Sequence, residues 1–210
     1  MSSSIHLGEL LISRICHDLA SPVGAVMSGL ELIEEFEGET ADDALRLMAD
    51  SARIAARRMA FYRLAFGFAG NAANLSLAEA RALLMDFLVG GRARLDWPEA
   101  TDVANHCPEE GGVKLLLMLV FVALEALPRG GTVAVGFDLA GGIARIQAQG
   151  PGARIAPANE AALTGAEDIL QRLDAGTAPS YYAGRLAQRL GAGLMLEPGT
   201  DRLSLSARLP

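Results

Sequence analysis

Two helical stripes, with no strand signal between them, govern what the first third of this chain can become. Ile12, Ile15, Leu19, Val23, Val26, Leu30 and Ile33 recur at three- and four-residue steps. Leu45, Met48, Ala52, Ala55, Met59, Tyr62 and Phe66 do so again after Gly38-Glu39-Thr40. Such spacing lays one apolar stripe along each of two helices, so residues 5–69 are predicted to form a helical hairpin. A second row on the latter helix, Leu47, Ile54, Phe61 and Phe68, exceeds what two helices can cover. Dimerisation into a four-helix bundle is the economical solution, and packing against a second domain is the competing one.

Beyond residue 75 the texture changes, and Gly70-Asn71-Ala72-Ala73-Asn74 reads as a hinge between units at 1–70 and 75–210. Ser76-Leu77-Ala78-Glu79 has the pattern of a capping box opening a helix to about Val89. A strand is expected over 92–97 and a buried helix over 109–127. Thr132 to Asp138 and Ile143 to Gln149, split by Ala140-Gly141-Gly142, read as a β-hairpin. Helical patterns near 159–174 and 179–190 precede two last strands, 193–197 and 202–209, parted by Pro198-Gly199-Thr200-Asp201. Helices on one face of a mixed sheet make an α/β sandwich, so the whole chain is α+β.

Composition narrows the function. The net charge is -7 and Lys114 is the sole lysine, with no basic stripe interleaved with aromatics, which argues against a nucleic-acid binder. Cys16 and Cys107 form no CxxC pair and no disulfide framework, as expected in a reducing compartment. The N-terminus has no signal-peptide pattern, and the longest apolar run, Leu115 to Leu124, is bounded by Lys114 and Glu125. That run is far shorter than the ~20 residues of a membrane helix. A cytoplasmic protein without a membrane segment is expected.

The residues most suggestive of chemistry are Cys16-His17-Asp18-Leu19-Ala20-Ser21-Pro22-Val23. At roughly 100° per residue, His17 points away from the stripe of the first helix and is predicted to face solvent. Ser13, Arg14, Ser21, Gly24 and Ser28 share its face. They are mostly small, which leaves room for another protein to approach. Pro22 inside a strong helix costs about 3 kcal/mol and calls for a reason, such as a bend just past the histidine.

His17-Asp18-Leu19-Ala20-Ser21-Pro22-Val23 resembles the H-box of sensor histidine kinases, commonly H-E/D-L-R-T-P-L. The resemblance implies that His17 is the phosphoacceptor and that Asp18 orients and polarises its imidazole. Ser21 falls where many such kinases keep a Thr or Asn used in dephosphorylation, implying a water-positioning role. The second unit resembles the kinase ATP-binding domain with its chemistry removed. Where kinases have the Mg²⁺-binding asparagines of the N-box, the stretch Leu119 to Leu127 has Phe121 and Glu125. In place of D-x-G-x-G stands Ala148-Gln149-Gly150-Pro151-Gly152, which keeps both glycines and loses the acid. In place of the Gly-rich lid stands Tyr181-Tyr182-Ala183-Gly184-Arg185-Leu186.

An H-box hairpin joined to such a degenerate domain is similar to the histidine phosphotransferases of the ChpT type. The resemblance implies a carrier that takes a phosphoryl group from the receiver domain of a hybrid histidine kinase and hands it to response regulators. It implies no stably bound cofactor, the Mg²⁺ for transfer being supplied by the receiver. Arg14 is expected near the phosphoryl group or an acidic receiver rim. The alternatives are a non-catalytic scaffold that binds a receiver or kinase, and a true histidine autokinase. The His17-Asp18 pair also resembles HD-type metal phosphohydrolases. Those need further ligands, and only His6 and His106 remain; a zinc site from His106 and Cys107 would lack two. No metal is expected.

Overall fold

The computed structural model describes residues 2–67, 75–99, 106, 108–109, 111–138, 140–166 and 168–210. The expected hinge at 70–74, together with Phe68 and Cys107, lies outside the described residues. Helices α1 (Ser2–Glu35) and α2 (Glu39–Ala65) pair as an antiparallel hairpin. Gly38, at φ +70, takes the left-handed turn between them that a side chain would resist.

The α/β unit follows. Helix α3 (Leu77–Leu88) opens on the expected capping box, with Ser76 and Glu79 bonding each other's backbone N–H. Next come β1 (Ala93–Asp96), α4 (Gly112–Glu125), β2 (Gly131–Asp138) and β3 (Ile143–Gln149). Helix α5 (Pro157–Thr164), a 3₁₀ turn at Ile169–Gln171, α6 (Ala178–Arg189), β4 (Met195–Gly199) and β5 (Arg202–Arg208) complete the chain.

The sheet runs β1-β2-β3-β5-β4, with β1 parallel to β2 and all other neighbours antiparallel. Alternate residues of its central strands are buried, Val133, Val135, Ala144, Ile146, Ala148, Leu203 and Leu205 among them. They face α4, whose Gly112 to Ala123 are all buried, so helices cover one face of the sheet. The sandwich is the one the patterning implied, with local differences. The expected 159–174 helix breaks where Gly165, at φ +72, caps α5 in the left-handed conformation. Pro198 and Gly199 belong to β4 rather than to a turn. A proline is tolerated there because β4 is an edge strand.

On α1 the hairpin seam runs one residue before the apolar stripe, whereas on α2 the stripe's own Met48 and Tyr62 face it. Leu11, Asp18, Pro22 and Gly29, spaced seven, four and seven apart, line α1 where it meets α2. This row is rotated by about 100° from the apolar stripe. Gly29 is required here, since a Cβ would run into the Met48 side chain. The α1 stripe is only partly covered: Ile15, Leu19, Val26 and Ile33 are half-buried, whereas Ile12, Val23 and Leu30 are 41–62 % exposed, as are Met27 on α1 and Leu45 and Met59 on α2. The second row of α2 also behaves differently from the bundle expectation. Its Phe61 is completely buried against the second unit, stacked on Phe87 of α3 at 4.2 Å and Phe121 of α4 at 5.7 Å. Packing between the units therefore accounts for Phe61, while Leu47 remains exposed.

That aromatic cluster, with Tyr62 and Phe66, fixes hairpin and sandwich together. Aromatic pairs of this geometry contribute about 0.5–1.5 kcal/mol each beyond the area they bury. A second contact, of Leu7 and Leu10 with Ile169, Leu173 and Tyr181, ties the start of α1 to the same unit. Buried Lys114 adds a polar tie: its ammonium donates to the Gly67 carbonyl and lies 5.2 Å from the centre of the Tyr182 ring.

Candidate functional site

Pro22 explains the first feature of the site. Lacking an N–H, it leaves the carbonyl four residues earlier, that of Asp18, without its helical partner. Arg58 of α2 reaches across the hairpin and donates to that oxygen. Helix α1 runs unbroken through the proline, with a side-chain donor from the neighbouring helix serving the freed carbonyl. The arrangement draws α2 against α1 beside His17.

The Asp18 side chain, in the seam, is the hub. Its Oδ2 accepts from Arg14 Nε at 2.8 Å and from the Tyr62 hydroxyl. Its Oδ1 lies 3.1 Å from His17 Nδ1. Partial burial works against the charged carboxylate, yet the bonds from Tyr62, Arg14 and His17 and the charge of Arg14 outweigh it. The carboxyl is held below its ordinary range. Burial, reinforced by the bond to Asp18 and its charge, pushes the Tyr62 phenol well above its ordinary value, so it stays a donor.

An ionised carboxylate can only accept, so His17 Nδ1 must carry the proton in this contact. In the neutral imidazole the lone pair then sits on Nε2, on a ring whose side chain is 84 % exposed. Ser13, Ser21, Gly24 and Ser28 are exposed along the same helix and leave the approach open. What results is a presented nucleophilic nitrogen with a buffered carboxylate behind it.

Arg14 departs from expectation. It does not stand free on the docking apron: its side chain is largely buried, between Asp18 and Glu125 of α4. Its terminal nitrogens make a bidentate pair with Glu125, at 3.0 and 2.6 Å, and its plane lies 5.4 Å from the Phe121 ring centre. Burial acts to lower its pKa, but the bonds and charges of Glu125 and Asp18 raise it above the ordinary arginine value. Charge-assisted bidentate bonds of this kind are the strong ones.

The structure brings His17 and Asp18 together, as the sequence implies, and adds three partners that patterning does not reveal. In the sequence Tyr62 belongs to an apolar stripe, Arg58 carries no signal, and Glu125 reads only as a replacement for an N-box asparagine. A polar tip on a buried aromatic at position 62, in register with Asp18 across the hairpin, was the available clue.

The kinase-like motifs have structural uses. Ala148 is buried in β3, and a Cβ on Gly150 would collide with the Gly130 carbonyl. A Cβ on Gly184 would strike the Leu163 carbonyl, so that glycine serves close packing of α5 and α6. Among the described residues, no three His, Cys, Asp or Glu side chains are grouped to hold a metal ion.

The chain thus presents a surface histidine, backed by an acid, on a hairpin clamped to an α/β sandwich. The family model described as histidine phosphotransferase C-terminal domain matches residues 77–202. Protein phosphotransferase ChpT of Brucella abortus (strain 2308) is 34% identical over 208 residues, covering 98% of this chain and 96% of that protein. The chain belongs to the histidine phosphotransferase family. A solved bacterial phosphotransferase superposes with TM-score 0.80 at 32% identity, covering 97% of this chain and 96% of its own. A histidine kinase domain from the Erythrobacter litoralis EL346 blue-light activated kinase aligns over 91% of this chain and 94% of its own, at 12% identity and TM-score 0.43. The fold is thus that of a phosphotransferase over its full length, and phosphotransferase activity follows with it.

Proposed function

We propose that this phosphotransferase relays a phosphoryl group between receiver-domain aspartates, with His17 as the intermediate carrier. The observation that carries the reading is the His17–Asp18 contact, which leaves Nε2 unprotonated and facing solvent. In the first transfer, Nε2 attacks the phosphorus of a receiver's acyl phosphate. The N–P bond forms as the P–O bond breaks, and the receiver aspartate departs as a carboxylate. The ring keeps its Nδ1 proton and becomes positively charged, which the Asp18 carboxylate stabilises without accepting that proton. The second transfer reverses these steps toward another receiver.

Positioning and charge stabilisation supply most of the catalysis in phosphoryl transfer, so an accessible histidine and a docking surface suffice. The Mg²⁺ that neutralises the phosphoryl oxygens comes with the receiver. On this chain, the carboxylate nearest His17 is already held by Arg14 and Tyr62. The donor is the receiver of a hybrid histidine kinase and the acceptors are response regulators. Ser21, exposed one turn from His17, would orient a water in dephosphorylation, and its exposure on that face supports the reading. Labelled phosphate should pass from a phosphorylated receiver to this chain and on to a second receiver, while labelled ATP leaves it unmarked. Stable receiver binding with no transfer would support a scaffold instead, and labelling by ATP an autokinase.

The active form is a homodimer in the cytoplasm. By length and composition α1 would pass for a membrane span, and little of its most apolar window is buried. Its seam, however, carries Asp18 paired with Arg14, and Ile12, Val23, Met27 and Leu30 of α1 are exposed together with Leu45 and Met59 of α2. A second copy covers both helices at once as a four-helix bundle. Replacing Ile12 and Met27 together by glutamate should give a folded monomer in analytical ultracentrifugation; an unchanged dimer mass would exclude this face.

A further inference from the structure

Glu125 is 111 positions from Arg14 in sequence, yet its two oxygens take both terminal nitrogens of that guanidinium. The remaining donor, Nε, goes to Asp18 Oδ2. One planar group therefore bridges a carboxylate of α4 and a carboxylate of α1, with Phe121 of α4 under its face. Three anchored nitrogens permit the fork a single orientation, whereas an arginine without Glu125 regains the rotamer freedom of a long side chain. With Arg14 and Tyr62 both on Oδ2, the other oxygen is left for His17. The orientation of the histidine ring is thus set through a chain of contacts that begins in the second unit.

We propose that Glu125 is a positioning residue for phosphoryl transfer: by locking Arg14 it holds Asp18 so that His17 Nδ1 is bonded and Nε2 is free. The inference rests on the relay through His17 and gives the α/β unit a part in it. When Asp18 can turn, the ring loses the partner that fixes its tautomer, and Nε2 carries the proton for part of the time. A protonated Nε2 cannot attack phosphorus, so the maximal rate falls while receiver docking is unaffected.

Single-turnover transfer from a phosphorylated receiver, combined with ¹⁵N NMR of the His17 ring, tests this. Glu125→Ala should lower the maximal rate about tenfold, with the half-saturating receiver concentration within about twofold of wild type. Glu125→Gln, which keeps an acceptor for Arg14, should fall less and covers the case in which the alanine variant folds poorly. The His17 resonances should move from the Nδ1–H form toward a tautomer mixture. Arg14→Ala should fall at least as far as Glu125→Ala, and the double variant no further than Arg14→Ala, because Glu125 acts only through Arg14. An unchanged maximal rate, an effect confined to half-saturation, or a slower rate with an unaltered tautomer signature each overturns the proposal. Label retained by His17→Ala would instead overturn the relay itself.

Discussion

Replacing His17 by alanine is expected to abolish phosphoryl uptake from a phosphorylated receiver while leaving the fold untouched. In the proposed relay the imidazole supplies the attacking nitrogen, and no described neighbour is placed to substitute for it. Asp18 is committed to Arg14 and Tyr62, and Cys16 lies on another side of the helix. Because the ring is 84 % exposed, its loss removes almost no packing. Stability should change by no more than about 0.5 kcal/mol, as is usual for surface substitutions. Label on the chain after incubation, read by gel or phosphoprotein mass spectrometry, reports the first expectation, and urea unfolding the second. Label surviving in His17→Ala would place the carrier elsewhere.

Asp18→Asn should show the second largest effect, and on two axes. Asparagine keeps the shape and can still accept from Nδ1, but it lacks the charge that stabilises the imidazolium formed at phosphorylation. Transfer should slow by about 10²–10³-fold, the scale on which enzymes depend on such a partner. Stability should fall too, since bonds to a charged group contribute about 1.5–3 kcal/mol each and Tyr62 and Arg14 would lose that acceptor. The pH dependence has a definite sign. The carboxyl titrates below its ordinary value in the folded protein, so its stabilisation is complete above the unfolded value of about 3.9 and is lost as pH falls through the folded one. The gap between wild type and Asp18→Asn in urea melts should therefore be widest near neutrality and close in acid. A gap that persists unchanged at about pH 3 would show that Asp18 is not held as an ionised hub.

These two residues were legible because their signal is local. The H-box places an acid beside a histidine, and helix periodicity puts that histidine opposite the broad apolar stripe. The same periodicity does not single out the α1 side of the seam. A row of Leu11, Asp18, Pro22 and Gly29 has little hydrophobicity, so the apolar stripe one residue on outweighed it. Yet close approach favours small residues, as the contact of Gly29 with Met48 shows. A charged residue fits such a seam only when its partners arrive from elsewhere, and Arg58 and Tyr62 come from about forty positions away.

By itself the sequence determined the hairpin, the alternating strands, the capping box at Ser76 and the exposure of His17. Each follows from residues within a turn or two of one another, where side-chain period and backbone preference act directly. Tertiary structure alone decided that Arg58 answers the carbonyl freed by Pro22, that Phe61 packs into the second unit, and that Glu125 clamps Arg14. Those outcomes depend on which buried charges and unpaired backbone groups meet across helices. A buried polar group must find a partner, and only the folded chain reveals which distant residue supplies it.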